Sequence, residues 1–151
     1  LSSTSTMALA QPCTIYWVAS RTANFTAYSV GLTQTTETIA FGFDITTGEW
    51  YTYSNPALVD QAAANSAFHM MSAHFNGATS TMYMDSVTGA AKTLDAGDIA
   101  GDTFHIGATS AAGAPLAGDI GEILVFSGTH TAVQRTLVTN YLSAKWGITL
   151  S

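Results

Sequence analysis

Charge is what this sequence has least of. Only 9% of its 151 residues are charged, and the cations are four, Arg21, Lys92, Arg135 and Lys145, against ten carboxylates and a formal net charge of −6. Nucleic-acid binding draws its affinity from clustered cations that release phosphate counter-ions. Four scattered ones on an acidic chain exclude that class of partner, and they argue equally against anionic membrane surfaces. Cysteine is almost missing. Cys13 stands alone, so no intrachain disulfide forms. Within the apolar run Cys13-Thr14-Ile15-Tyr16-Trp17-Val18 it reads as a small buried hydrophobe rather than a nucleophile. Long apolar runs are lacking too. The uncharged stretch 61–84 is interrupted by Asn, Gln and His, so membrane insertion is not expected.

What is present suits a β-sandwich. Nearly half the residues are hydrophobic, which is a folding balance rather than a disordered one, and 151 residues make one domain with a sizeable core. Short β-prone runs at 14–19, 25–32, 39–45 and 49–53 are bounded by turn residues, with Thr46-Thr47-Gly48 joining the last two as a hairpin. Asn55-Pro56 ends that ladder. Runs at 67–75 and 81–85 flank Asn76-Gly77, the strongest hairpin signal in the chain. A Gly-rich stretch follows, then short strands at 104–106 and 120–126. The one helix comes last: Val133, Leu137, Tyr141, Leu142 and Trp146 recur at helical spacing, Thr131 with Gln134 forms a capping box, and Gly147 is the left-handed C-cap. The expectation is an all-β fold, a two-sheet antiparallel jelly-roll sandwich with one short C-terminal amphipathic helix, as a single domain over 1–151.

Three segments resemble the laminin-G-like, concanavalin-A-like lectin and glucanase superfamily. They are the strand Gln11-Pro12-Cys13-Thr14-Ile15-Tyr16-Trp17-Val18-Ala19, the hairpin from Phe68-His69-Met70-Met71 through Asn76-Gly77 to Met82-Tyr83-Met84-Asp85, and the ending Gly118-Asp119-Ile120-Gly121-Glu122-Ile123-Leu124-Val125-Phe126 with Tyr141-Leu142-Ser143-Ala144-Lys145-Trp146-Gly147-Ile148. The ending is similar to that of bacterial and phage-encoded members. Two departures stand out: Ser86 replaces the Gly that usually follows the Asp, and no strand is obvious between Leu1 and Thr6. With the start at Leu1 rather than Met, the latter leads to the expectation that the chain is the C-terminal part of a longer one. The resemblance implies a jelly roll but not one function, because the superfamily spans lectins, polysaccharide-cleaving enzymes, adhesion modules and virion proteins.

Glycoside cleavage needs a facing carboxyl pair. The nearest match to the related glucanases' catalytic strand is Ala117-Gly118-Asp119-Ile120-Gly121-Glu122, where Ala117 replaces the leading Glu. Regular alternation sends Asp119 and Glu122 to opposite faces, so no pair is expected and the chain is read as no enzyme. Glu122 is then a structural acceptor for loop amides. No Gly-x-Ser-x-Gly elbow or His-Glu-x-x-His helix occurs. His69 is expected to be a packed core residue. Asp95, Asp98 and Asp102 on one Gly-containing loop offer the oxygen ligands Ca²⁺ prefers, with a plain solvated turn as the competing reading. Sugar binding needs aromatic faces beside amides, and Trp50, Tyr51, Tyr53 and Asn55, with Tyr83, are the candidate ligand-binding residues; alternation requires one set of the hairpin aromatics to be core.

The function expected is a non-catalytic module recognising glycan or cell-surface polysaccharide, outside the cell or on a virion surface. The alternative is a virion structural or decoration domain that docks onto other capsid or tail proteins. A polysaccharide-cleaving enzyme is the remaining option.

Overall fold

The computed structural model describes the backbone of residues 2–7, 11–22, 27–33, 37–44, 49–54, 57–63, 65–77, 79–86, 92–94, 102–108 and 115–151, and the side chains of 11–22, 41–42, 49–52, 65–77, 79–86, 105–108 and 115–151. Among the described residues eleven strands precede one helix: β1 Ser2–Met7, β2 Cys13–Ala19, β3 Ala27–Thr33, β4 Glu37–Asp44, β5 Glu49–Ser54, β6 Ala57–Ala63, β7 His69–Phe75, β8 Ser80–Met84, β9 Lys92–Leu94, β10 Asp102–Ile106, β11 Ile120–Ser127 and α1 Ala132–Trp146. They form a six-stranded sheet, β1-β10-β3-β4-β5-β6, and a five-stranded sheet, β11-β2-β7-β8-β9. Every pairing is antiparallel. The expected all-β, two-sheet architecture with a closing helix is what the chain adopts.

Strand β2 shows why. All seven of its residues are buried, because each of its faces meets a different partner layer. Cys13, Ile15, Trp17 and Ala19 point between the sheets, where they join Phe41, Trp50, Met71, Ala73, Phe75 and Met82. Tyr16 and Val18 point the other way and join Met70, Leu142 and Ile148 under α1. Burial drives the Cys13 thiol up to about 11, so it packs as a hydrophobe and carries no thiolate at neutral pH.

The Asn76-Gly77 hairpin forms as expected. Gly77 takes φ +55°, and His74 pairs with Thr81 across the strands. The 46–48 turn lies outside the described residues, yet β4 and β5 pair antiparallel with Asp44 opposite Glu49, the pairing that turn implied. Three strands were not read from sequence. β1 occupies the stretch in which no strand was obvious and pairs with β10. β6 follows the Asn55-Pro56 break, and β9 lies in the stretch read as loop.

The helix is capped as the sequence implied. Thr131 accepts from the Gln134 amide, Gln134 accepts from the Thr131 amide, and Gly147 is left-handed at φ +68°. Of the expected stripe, Leu142 and Trp146 face the sheet and the other three residues do not. Val138, Leu142 and Trp146 meet the sheet, whereas Val133, Leu137 and Tyr141 are 70%, 66% and 49% exposed. A helix turns 100° per residue, so Val138, Leu142 and Trp146, four apart, form the inward row and Tyr141 falls to its side.

Candidate functional site

Strand β11 is an edge strand that pairs with β2 on one side. Its register slips between Ile120 and Glu122, which sit opposite Ala19 and Val18. The extra residue is Gly121, a bulge that resets the alternation of the strand. Ile120 and Ile123 therefore both pack against the core between the sheets, and Glu122 turns to the helix side. Asp119 stands just before β11, so strand alternation does not relate its side to that of Glu122. Both line a depression of about 590 Å³ with Ile106, Gly107, Leu116, Gly118, Ile120, Gly121 and Ile123.

Backbone hydrogen bonds hold the wall of this groove in place. Ser20 N–H donates to Asp119 O at 2.9 Å, Thr22 N–H to Ala117 O at 2.7 Å and Leu116 N–H to Gly107 O at 2.8 Å. Gly118 is pressed so closely onto β2's end that a Cβ there would sit 2.0 Å from Ser20 O.

Glu122 is occupied. Its carboxylate accepts from Lys145 Nζ at 2.9 Å, Tyr141 Oη at 3.2 Å and Trp146 Nε1 at 3.2 Å. The lysine hydrogen bond above all holds its carboxyl below the usual carboxylate range. It is a structural acceptor as expected, but for helix side chains rather than loop amides. The Trp146 indole lies flat over Gly121, 3.0 Å from where a Cβ would stand. Gly121-Glu122 and Lys145-Trp146-Gly147 thus form one clasp between strand and helix. Asp119 is exposed and is the carboxylate that the groove leaves to solvent.

A second polar cluster lies between the sheet and α1. Tyr16 Oη and His130 Nδ1 share a 2.9 Å hydrogen bond. His74 is 4% exposed, with its ring 6.2 Å from Tyr16, 5.7 Å from Tyr83 and 6.5 Å from His130. Arg135 stacks its guanidinium 4.3 Å above the Tyr83 ring. Burial first, then the Arg135 and His130 fields, lower His74 to about 4; burial also lowers His130. His74 Nε2 is buried without a hydrogen-bond partner among the described residues. At neutral pH both rings are uncharged, as suits a helix seat.

The candidate ligand residues fall in separate places. Trp50 and Tyr51 are both buried. Trp50 packs edge-on against Trp17 at 5.3 Å in the core, so it presents no sugar-stacking face, and the exposed aromatic pair expected on that hairpin is not formed by these two. The second sheet encloses one face of β5, which is why Trp50 is core. Asn55 and the side chain of Tyr53 lie outside the described residues. Tyr83 is half-buried, on the helix side of β8 and beneath Arg135. Of the candidate calcium ligands, Asp95 and Asp98 lie outside the described residues, and Asp102 opens β10 with its backbone opposite Met7. Among the described residues no group of three or more His, Cys, Asp or Glu side chains converges on one point.

His69 is packed at the start of β7, as expected. Its Nδ1 shares a 2.5 Å hydrogen bond with Asp85 Oδ2 and its Nε2 lies 3.1 Å from Asn65 Oδ1, while Asp85 Oδ1 accepts from Met70 N–H at 2.7 Å. Asp85 itself takes the left-handed turn, at φ +45°. Ser86, in the glycine's place, donates from Oγ to Ser151 O at 3.1 Å and ties down that residue.

No protein-family model matches the chain, and no curated protein matches it. Solved structures do. Trypanosoma rangeli sialidase in complex with sialic acid is similar at a TM-score of 0.65 and 14% identity, over 88% of this chain and 23% of the sialidase. A SAP-like pentraxin of Limulus polyphemus is similar at 0.64 and 13%, over 90% of this chain and 73% of the pentraxin. Domain 4 of AbnA, an extracellular arabinanase of Geobacillus stearothermophilus solved with arabinotriose, is similar at 0.59 and 14%, over 86% and 67%. The chain therefore spans less than a quarter of the sialidase. At these identities the likeness is one of fold alone and not of family.

Proposed function

We propose that this chain is a non-catalytic carbohydrate-binding module of the laminin-G-like, concanavalin-A-like type, carried outside the cell on a bacterial or phage surface protein. The observation that carries the reading is the groove along β11. Its volume of about 590 Å³ lies within the ordinary range for small-ligand sites. In place of the aromatic faces expected from the sequence, Ile106, Leu116 and Ile120 supply the apolar surface for sugar C–H groups, Asp119 supplies a solvent-facing carboxylate for paired hydroxyls, and the outer edge of β11 supplies main-chain donors and acceptors. A fold shared with an arabinanase domain solved with arabinotriose supports the same reading. Glu122 is held ionised by the Lys145 clasp, which suits a fixed acceptor and not the proton donor that glycoside cleavage needs.

Affinity electrophoresis in gels containing arabinan, xylan or a β-glucan tests the proposal, with and without calcium. Retardation by at least one polysaccharide that disappears in Asp119→Ala supports the groove. Retardation that Asp119→Ala leaves intact contradicts that location. Loss of binding in EDTA, reproduced by Asp95→Ala or Asp98→Ala, would assign calcium to the 94–102 loop. The second reading, a virion structural or decoration domain, is favoured by the exposed apolar row Val133, Leu137 and Tyr141 on α1.

A further inference from the structure

Among the described residues, Asp119 is the groove carboxylate that no cation neutralises. Glu122, the other charged residue on the groove wall, is paired with Lys145 Nζ at 2.9 Å, so that pair adds no net charge. Asp119 is exposed to solvent. The chain's remaining cations are placed elsewhere. Arg135 lies over the Tyr83 ring. Lys92 is on β9, at the opposite edge of the five-stranded sheet from β11. Arg21 is not among the residues that line the groove, and its Nε is buried. The sequence between Gly107 and Leu116, both lining residues, contains no charged residue.

We propose that the groove selects glycans free of carboxylate and sulfate groups, and that Asp119 enforces this selection. The inference rests on the carbohydrate reading above and gives that reading its substrate class. An ionised carboxylate is an acceptor only. The hydroxyls of a neutral sugar donate to it, and two adjacent ones can satisfy both of its oxygens. A uronate or sulfate group instead brings a second acceptor of the same sign. It cannot donate to Asp119, and the described wall offers it no unpaired cation. Like charges set face to face in a site oppose binding strongly. The net charge of −6 adds a weaker repulsion over longer range, which salt screens. The two effects separate by mutation, because only the first belongs to one side chain.

The test is biolayer interferometry at neutral pH on one immobilised neutral polysaccharide (arabinan, xylan or a β-glucan) and on two lightly substituted forms of it. One form is carboxymethylated and the other hydroxyethylated, so the substituents are similar in size and differ in charge. The carboxymethylated form is expected to bind about tenfold or more weakly than the hydroxyethylated one. In Asp119→Asn, which removes the charge and keeps the size of the side chain, that ratio should fall towards one. Glu49→Gln removes an equal charge on β5, which β3 and β4 separate from β10, and should leave the ratio as it is in the unmodified chain. Equal or stronger binding of the carboxymethylated form overturns the selectivity and leaves the carbohydrate reading standing. A ratio that Asp119→Asn does not change, or that Glu49→Gln changes as much, overturns Asp119 as its source. No binding to any of the polymers overturns the carbohydrate reading and the selectivity with it.

Discussion

Gly118 and Gly121 stand three positions apart and are glycine for different reasons. A methyl at 118 would meet the backbone carbonyl of Ser20 at 2.0 Å, and backbone has nowhere to go. At 121 the obstacle is the Trp146 indole at 3.0 Å, which can slide by a few tenths of an ångström. Gly118→Ala is therefore expected to destabilise more than Gly121→Ala, by about 3 kcal/mol against about 1; equal losses in thermal unfolding would contradict the packing described. Trp146→Ala removes an indole that covers Gly121, meets Phe68 at 5.2 Å and donates to Glu122. About 3 kcal/mol is expected from its truncation, and an unchanged melting temperature would refute the clasp. Gly118, Gly121, Glu122 and Trp146 were visible in the sequence as part of the ending 118–126 and 141–148. Their joint role was not, because the bulge that brings Glu122 under Trp146 leaves no mark on the 120–126 pattern beyond one glycine.

At the scale of elements, the packing of α1 on the sheet is the feature most sensitive to acid. His74 and His130 sit under the helix with Tyr16, Tyr83 and Arg135 around them, and no carboxylate joins them among the described residues. A histidine lowered to about 4 in the fold and near 6.5 when unfolded gives the unfolded chain more bound protons between those values. Stability is thus full above about pH 6.5 and is lost as pH falls towards 4, by on the order of 3 kcal/mol from His74. Glu122 acts in the same direction at lower pH, since its depressed carboxyl loses the clasp when protonated. Denaturant unfolding from pH 7 to pH 4 should show this slope, and His74→Leu should flatten it; an unaltered slope would remove His74 as its source. The elements themselves were legible where turn chemistry was strong, as at Asn76-Gly77 and at the caps of α1. They were illegible where the pattern was weak. β1 is a polar Ser and Thr run and β6 is Ala-rich, and what identifies each is its partner strand. The helix was found, but its face was assigned correctly only at Leu142 and Trp146, since a short helix with apolar residues on two sides offers two stripes of similar quality.

For the whole molecule, two layers and a helix were readable from composition and turns, and the solved β-sandwiches match over most of the chain. The site was much less readable. Aromatic residues drew attention to β5, yet Trp50 fills the core between the sheets. The groove instead comes from a bulge, two glycines and an edge strand, features that carry no aromatic signature. Carbohydrate binding in this groove is measured by titration calorimetry with a neutral oligosaccharide, begun with arabinotriose. Saturable binding that Asp119→Ala abolishes while its melting temperature stays unchanged is the expected result. Binding of equal strength in the unmodified chain and Asp119→Ala would contradict it.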